Sequence, residues 1–142
     1  MNIIESNLRF GVLSDIGTVT KITYHHADSK NCTVEDIHQW HLNNGWSGCG
    51  YHYFIKKDGK IYRGRPENKK GAHVANSNSG NIGICFEGRF TVENISDAQV
   101  KSGKEITSYL KNKYGLSDKN LYGHSNFMAT DCPGFDISIF KG

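Results

Sequence analysis

The sequence has little proline and no long apolar run, and both shortages narrow the class of protein. Two prolines in 142 residues leave no proline-rich linker or extended disordered tail. No segment approaches roughly 18 consecutive apolar residues, so no membrane insertion is expected. Hydrophobic residues make up 37% and charged residues 22%, which is typical of a globular domain. We therefore expect residues 1–142 to form one domain with its own core.

A strong charge of one sign is also missing. The formal net charge is +3, a mild basic excess that suits contact with anionic polymers. It falls short of the dense positive patch that nucleic-acid-binding domains carry. Nucleic acid is therefore not an expected partner.

The first residues lack the features of a signal peptide, because no basic start is followed by an apolar stretch. The sequence has four cysteines, Cys32, Cys49, Cys85 and Cys132, which would allow two disulfides. Without an export signal, they are expected to be made in a reducing compartment. Cys85 lies in an apolar strand and is expected to act as a small hydrophobe. A pairing of Cys32 with Cys49 stays open, because sequence does not give their separation.

Two capping boxes predict two helices. The segments Thr33–Asp36 and Ser96–Gln99 each place an acidic or amide side chain three residues after a hydroxyl residue. Apolar residues follow at helical spacing until Gly45 and Gly115, which end the segments. The first helix has about three turns, and the longer second helix is expected to cover one face of a sheet.

The strands are predicted from β-rich and apolar runs. Val19–His25 and Leu121–His124 are expected strands, and Asn81–Glu87 is apolar enough to lie centrally. Tyr51–Lys57 and Lys60–Arg63 flank an Asp-Gly turn and predict an antiparallel hairpin. Asp136 is expected to cap a last helical turn. These elements predict an α/β fold, a mixed sheet with helices packed on it.

Histidine and cysteine stand where predicted strands end. His25 closes the first strand, His124 closes the last one, and Cys132 follows eight residues later in a loop. Three such side chains, with a fourth position left for water, form a catalytic zinc site. Seven histidines and four cysteines permit many other triples, so spacing alone leaves this triad one hypothesis among several.

A series of short motifs runs in one order along the chain. The motifs are Ile22–His26, Ile37–His41 with Gly45-Trp46, Gly50–His52, Lys57–Lys60, Gly71–His73, Asn81–Ile84, and Gly123-His124 through Cys132–Asp136. They extend from about residue 19 to the C-terminus. The ordered set resembles the phage-type N-acetylmuramoyl-L-alanine amidases and the related peptidoglycan-recognition proteins.

This resemblance implies a single-domain fold with a central mixed sheet flanked by helices. It also implies zinc-dependent hydrolysis of the amide between N-acetylmuramic acid and L-alanine in bacterial peptidoglycan. The family's three zinc ligands fall on His25, His124 and Cys132. His26 competes for the first position, because neighbouring strand residues point to opposite faces, and we favour His25.

Three further residues are candidates for the chemistry. The family's tyrosine facing the metal falls on Tyr51, whose phenol would hydrogen-bond the attacking water or the oxyanion; the alternative is a half-buried strand tyrosine with its hydroxyl in solvent. Several phage enzymes have a lysine two residues before the cysteine, where this chain has Thr130, as active recognition proteins commonly do. Glu87 ends the central strand and is expected to be either a general base or a carboxylate that faces water. As a catalytic candidate it ranks below Tyr51.

The resemblance places His73 in the substrate groove, and Arg65 is a second candidate for substrate binding. The other histidines have simpler explanations. His38 and His41 are expected to pack the first helix against the sheet. His52 should point away from the face of Tyr51, into the core.

Two other functions compete with the amidase. A non-catalytic peptidoglycan-binding module usually lacks the cysteine ligand, which is present here as Cys132. A structural-zinc domain would need C-x₂-C pairs, which do not occur. The expected protein is a monomeric phage or prophage endolysin with one Zn²⁺, held in the host cytoplasm until lysis and then acting on the cell wall. Such enzymes often have a separate C-terminal wall-binding module, and none is expected within residues 1–142.

Overall fold

The computed structural model describes all of residues 1–142 and contains six strands and two α-helices. The strands are β1 (Ile3–Ile4), β2 (Lys21–His26), β3 (Tyr53–Ile55), β4 (Ile61–Arg63), β5 (Asn81–Phe86) and β6 (Leu121–Gly123). The helices are α1 (Val34–Asn43) and α2 (Asp97–Tyr114), and short 3₁₀ helices cover Asp118–Asn120, His124–Asn126 and Ile137–Phe140. None of the helices is both long and apolar enough to cross a membrane.

All six strands form one mixed sheet in the order β1-β4-β3-β5-β2-β6. Only β3 and β4, the predicted hairpin, pair antiparallel, while the other neighbours run parallel. β5 lies between β3 and β2, which confirms the prediction of a central buried strand. β2 pairs with β5 over its whole length, with His25 opposite Cys85.

The sheet separates two hydrophobic clusters. Ile84 of β5 belongs to the larger cluster together with Ile106 of α2. Its neighbour Cys85 belongs to the smaller cluster together with Ile37 of α1. Because successive strand residues point to opposite faces, α1 and α2 cover opposite sides of the sheet. The predicted α/β architecture, a mixed sheet flanked by helices, is confirmed.

Both predicted helix starts are confirmed, since Thr33 and Ser96 each form a complete capping box. α2 ends at Gly115, whose φ of 66° and ψ of 38° are left-handed, a conformation that glycine adopts at little cost. Asp136 caps the last 3₁₀ helix through a hydrogen bond from the Ser138 N–H. The four cysteines are all free thiols.

The structure differs from the prediction at two edges of the sheet. β1 was not predicted, because two isoleucines are too short a run to show a period. Tyr51 and His52 lie ahead of β3 rather than within it. Their backbone still pairs, since the Tyr51 carbonyl accepts from the Arg65 N–H and the His52 N–H donates to the Gly83 carbonyl. A side chain at Gly64 would lie 2.3 Å from the Tyr51 oxygen, so this tight crossing depends on glycine.

Candidate metal centre

Three side chains from distant segments meet beside the end of β2. His25 lies near the end of β2, His124 directly follows β6, and Cys132 lies in the loop beyond. β2 and β6 are parallel neighbours, so both strands deliver their carboxyl ends to the same edge. One ligand atom from each residue lies within 4.8 Å of the other two, and this group could hold a metal ion.

The chemistry of the group fits a cation such as zinc. Burial lowers the pKa of His25 well below its ordinary 6.5, so its imidazole stays neutral and keeps a lone pair. Nε2 of His124 is buried without a hydrogen-bond partner, which is costly unless another group satisfies it. Burial also raises the pKa of the Cys132 thiol to about 12, and a bound divalent cation would reverse this by stabilising the thiolate.

His26, the competing candidate, lies on the other face of β2. Its Nδ1 accepts a hydrogen bond from the Phe90 N–H at 3.1 Å, and its ring lies 6.1 Å from the Phe90 ring. Phe90 belongs to the cluster under α2. The pleat of β2 therefore separates the two histidines, and His25 alone points to the cysteine.

Tyr51 lies against the histidine group. Its ring centroid is 5.0 Å from that of His25 and 5.5 Å from that of His41. Burial raises the pKa of the phenol well above its ordinary 10, with the neighbouring Cys85 adding to the effect. The phenol therefore keeps its proton near neutral pH and can act as a hydrogen-bond donor, with the weakly accepting Cys85 sulfur as its partner in this structure.

A groove of about 400 Å³ opens beside Tyr51, His73 and His124. Its walls include His41 of α1 and the exposed side chains of Trp46 and Met128. The sequence predicted only packing for His41 and no role for Trp46 or Met128. The available signal was a pair of large apolar side chains in loops close to ligand motifs, a placement that burial in the core does not explain.

Thr130 is exposed and adjoins the ligand loop. Its Oγ1 accepts a hydrogen bond from the Cys132 N–H at 3.3 Å. The hydroxyl proton remains free to be donated, so the chemical capacity expected of Thr130 is compatible with its position.

Glu87 has a different environment from the one its sequence position indicated. It is buried, and its carboxylate accepts hydrogen bonds from the N–H groups of Cys32 and Lys57 and from Lys56 Nζ. Both carboxylate oxygens are thus hydrogen-bonded. Glu87 is therefore neither the predicted solvated carboxylate nor a free general base. Glu87 connects the segment before α1 to the end of β3, which is a structural role.

Arg65 is likewise buried beneath the surface rather than presented to a ligand. Its guanidinium donates to the carbonyls of Cys49 at 2.9 Å, Lys70 at 2.8 Å and Gly48 at 3.1 Å. These contacts explain Arg65 as an anchor for two loops behind the groove, and they correct the expectation that it binds substrate.

The remaining histidines divide between core and site. His52 is fully buried, accepts from the Gly83 N–H and contacts the Lys69 carbonyl, as predicted for a core residue. His38 accepts from the Cys49 N–H and contacts the Arg9 carbonyl. His73 lines the groove, but its ring also contacts His25, with 2.9 Å between His73 Nδ1 and His25 Nε2.

Comparisons with known proteins agree with this geometry. Residues 15–135 match the model of a family described as N-acetylmuramoyl-L-alanine amidase. The endolysin of Enterobacteria phage T3 is 36% identical over 115 residues, covering 77% of this chain and 74% of the relative. Peptidoglycan-recognition protein SC2 of Drosophila melanogaster is 33% identical over 123 residues, covering 80% and 67%.

A solved structure is similar over almost the whole chain. It is the N-acetylmuramoyl-L-alanine amidase LysC from Clostridium intestinale URNW, with a TM-score of 0.91 and 40% sequence identity. The match covers 95% of this chain and 90% of that one. The similarity therefore extends over nearly the whole fold.

Proposed function

Because the chain belongs to the N-acetylmuramoyl-L-alanine amidase family, we propose that it hydrolyses the amide between N-acetylmuramic acid and L-alanine in bacterial peptidoglycan. One observation carries the proposal: ligand atoms of His25, His124 and Cys132 converge within 4.8 Å beside an open groove. We propose that these three residues hold one Zn²⁺. When bound, zinc supplies a Lewis acid that polarises a carbonyl and lowers the pKa of water.

The residues of the chain then supply positioning and hydrogen bonds. The Tyr51 phenol, protonated because of its burial, donates to the amide oxygen as negative charge develops there. The exposed Thr130 hydroxyl supplies a second, neutral donor beside Cys132. Since Glu87 is held by three donors, the proton for the leaving nitrogen comes from Tyr51 or from water.

The groove fits an extended substrate with both polar and apolar parts. Trp46 presents a partly exposed aromatic face, and Met128 adds an adaptable apolar surface. Asn78 also lines the groove and brings polar atoms to one wall. We propose that these side chains hold the glycan and stem peptide on either side of the scissile amide.

The phage relative is an endolysin, and the same role is proposed for this chain. We propose that the protein is stored in the host cytoplasm until lysis and then acts at the cell wall, as a monomeric catalytic domain comprising residues 1–142. The recognition-protein relative raises the alternative of binding without cleavage. The complete histidine and cysteine group favours hydrolysis.

Mass spectrometry of purified peptidoglycan after digestion tests the proposal. The protein is compared as purified, after chelation, and after zinc is added back. Stem peptides beginning with alanine, released from intact glycan in a zinc-dependent manner, are the expected products. Muropeptides still joined to sugar would refute the bond assignment, whereas sedimentation with peptidoglycan without any release would identify a binding module.

A further inference from the structure

Two consecutive contacts lead from His25 into the protein. Nε2 of His25 lies 2.9 Å from Nδ1 of His73, and Nε2 of His73 lies 2.8 Å from the backbone carbonyl of Asn81. A carbonyl only accepts hydrogen bonds, so Nε2 of His73 must carry its proton. The buried His73 ring has no carboxylate among its partners to stabilise a positive charge, so the ring is neutral.

The neutral His73 ring fixes the direction of both hydrogen bonds in the series from His25 through His73 to Asn81. A neutral His73 with its proton on Nε2 has a lone pair on Nδ1, which must accept from His25. His25 therefore carries its own proton on Nε2, and its Nδ1 is left with a lone pair. That Nδ1 is the atom 3.6 Å from the sulfur of Cys132.

The ring of His73 has little freedom to leave this position. A Cβ at Gly71 would lie 2.6 Å from its Cδ2, and one at Gly83 would lie 2.7 Å from the same atom. Only glycine at both positions lets the backbone approach the ring so closely. Asn78 fixes the backbone beside the ring, because its Oδ1 accepts from the N–H groups of both His73 and Val74.

Asn81, at the other end of this hydrogen-bonded series, is also held in place. The Thr23 hydroxyl donates to Oδ1 of Asn81 at 2.7 Å, and Nδ2 of Asn81 donates to the Ser77 carbonyl at 2.9 Å. Thr23 lies on β2 two residues before His25, and Asn81 begins β5. The terminal carbonyl is thus tied to the strand that carries the ligand histidine.

We propose that His73 is a positioning residue that selects the His25 tautomer whose Nδ1 lone pair faces the metal. The proposal rests on the proposed function in one respect, that His25 is a zinc ligand. It assigns His73 a role through His25, in place of the direct substrate contact expected from the family resemblance. Ligand histidines that lose such an outer partner bind their metal more weakly, by about 10- to 100-fold.

Zinc affinity of the full chain, measured by competition with a chelator, is the first test. His73→Phe keeps a ring but removes both hydrogen bonds, and its zinc Kd should rise by about 10- to 100-fold. His73→Gln can accept with Oε1 and donate with Nε2, so it should recover most of the lost affinity. His38→Gln is the matched control, because His38 is a buried histidine with one backbone donor and one backbone carbonyl but no contact with a ligand residue. Its affinity should equal that of the wild type.

The tautomer itself is the second test, and it requires neither zinc nor activity. Long-range ¹H–¹⁵N correlation spectra of the metal-free wild type, with labelled histidine, should show His25 protonated on Nε2 and unprotonated on Nδ1. A proton on Nδ1 of His25 would overturn the proposal, as would wild-type zinc affinity in folded His73→Phe. If the wild type bound no zinc, the proposed function would fail instead, and the spectra would still decide the tautomer even if His73→Phe did not fold.

Discussion

Cys132 Sγ lies 3.6 Å from His25 Nδ1, although 107 residues separate them in the sequence. The contact exists because β2 ends where the loop after β6 returns to the sheet. A thiol is a weak hydrogen-bonding partner, so the buried imidazole gains little from the Cys132 sulfur alone. With His124, the two side chains form a group that could hold a cation, which is the arrangement that the proposed zinc site requires.

Cys132→Ala should therefore abolish stoichiometric zinc binding and lysis. Removing the thiolate would delete one of the three proposed protein ligands and leave two neutral imidazoles. Cys32→Ala is the control, since Cys32 is also a buried free thiol but lies outside the group. Zinc content by atomic absorption and turbidity loss of a cell-wall suspension measure the two effects. Retention of one zinc per chain in Cys132→Ala would remove this residue from the ligand set.

Most of the fold was predictable because its signals are local. The capping boxes at Thr33 and Ser96 fix helix starts within a few residues, and the Asp58-Gly59 turn fixes a hairpin. The short β1 was not predictable, because its pairing with β4 depends on residues nearly sixty positions away. The strand order was not predictable either, because parallel strands are not joined by a short turn that the sequence would reveal.

The candidate site was predictable where a residue type has one main chemistry. Histidine and cysteine at strand ends pointed to His25, His124 and Cys132, and the structure brings these together. Charged residues were harder, because Glu87 and Arg65 satisfy buried backbone groups contributed by remote loops. No local pattern distinguishes a charge that anchors loops from one that meets a ligand.

Tyr51→Phe should lower kcat by about 10²- to 10³-fold, the usual effect of removing one oxyanion donor. The ring and its packing on His25 would remain, so zinc content and KM should change little. Steady-state hydrolysis of a muramyl-peptide substrate, with zinc content measured in parallel, separates these effects. An unchanged kcat would refute the catalytic role of the phenol.

Arg65→Met should destabilise the protein without changing KM. The substitution keeps much of the volume but leaves the carbonyls of Gly48, Cys49 and Lys70 without their donor. Buried unsatisfied groups cost about 1–3 kcal/mol each, so the midpoint of urea unfolding should move to a clearly lower urea concentration. Arg89→Met, which breaks an exposed pair with Asp28, should cost under about 1 kcal/mol. A raised KM at unchanged stability would restore Arg65 as a substrate-binding residue.

Trp46→Ala should raise KM by roughly 2- to 10-fold with little change in kcat, since an aromatic contact contributes about 0.5–1.5 kcal/mol. Trp46 lines the groove, with its ring 4.6 Å from that of His41. Trp40→Ala is a matched control, because Trp40 is exposed to a similar extent but lies outside the groove. Equal effects of the two substitutions would show that the groove wall does not contact substrate.

Glu67→Gln should destabilise the protein at neutral pH but not in acid. Burial would raise the pKa of Glu67, but hydrogen bonds from Lys113, Tyr114 and Tyr53 outweigh it and hold the pKa below its ordinary 4.5. A carboxyl whose folded pKa is lowered contributes stability above its unfolded pKa, and this stability is lost as the pH falls through the folded value. The substitution should therefore cost about 1.5–3 kcal/mol at pH ~7, the usual contribution of a hydrogen bond to a charged group.

Urea unfolding of the wild type and Glu67→Gln at neutral pH and near pH ~3 measures that difference directly. The difference in unfolding free energy between the two proteins should narrow in acid, because the wild-type carboxyl is protonated progressively as the pH falls through its lowered pKa. Glu5→Gln is the control, since Glu5 is an exposed partner of Arg63 and should show a small gap at both pH values. A difference in unfolding free energy for Glu67→Gln that stayed constant with pH would mean that shape rather than charge stabilises the cluster around Glu67. The lowered pKa would then have no consequence for folding.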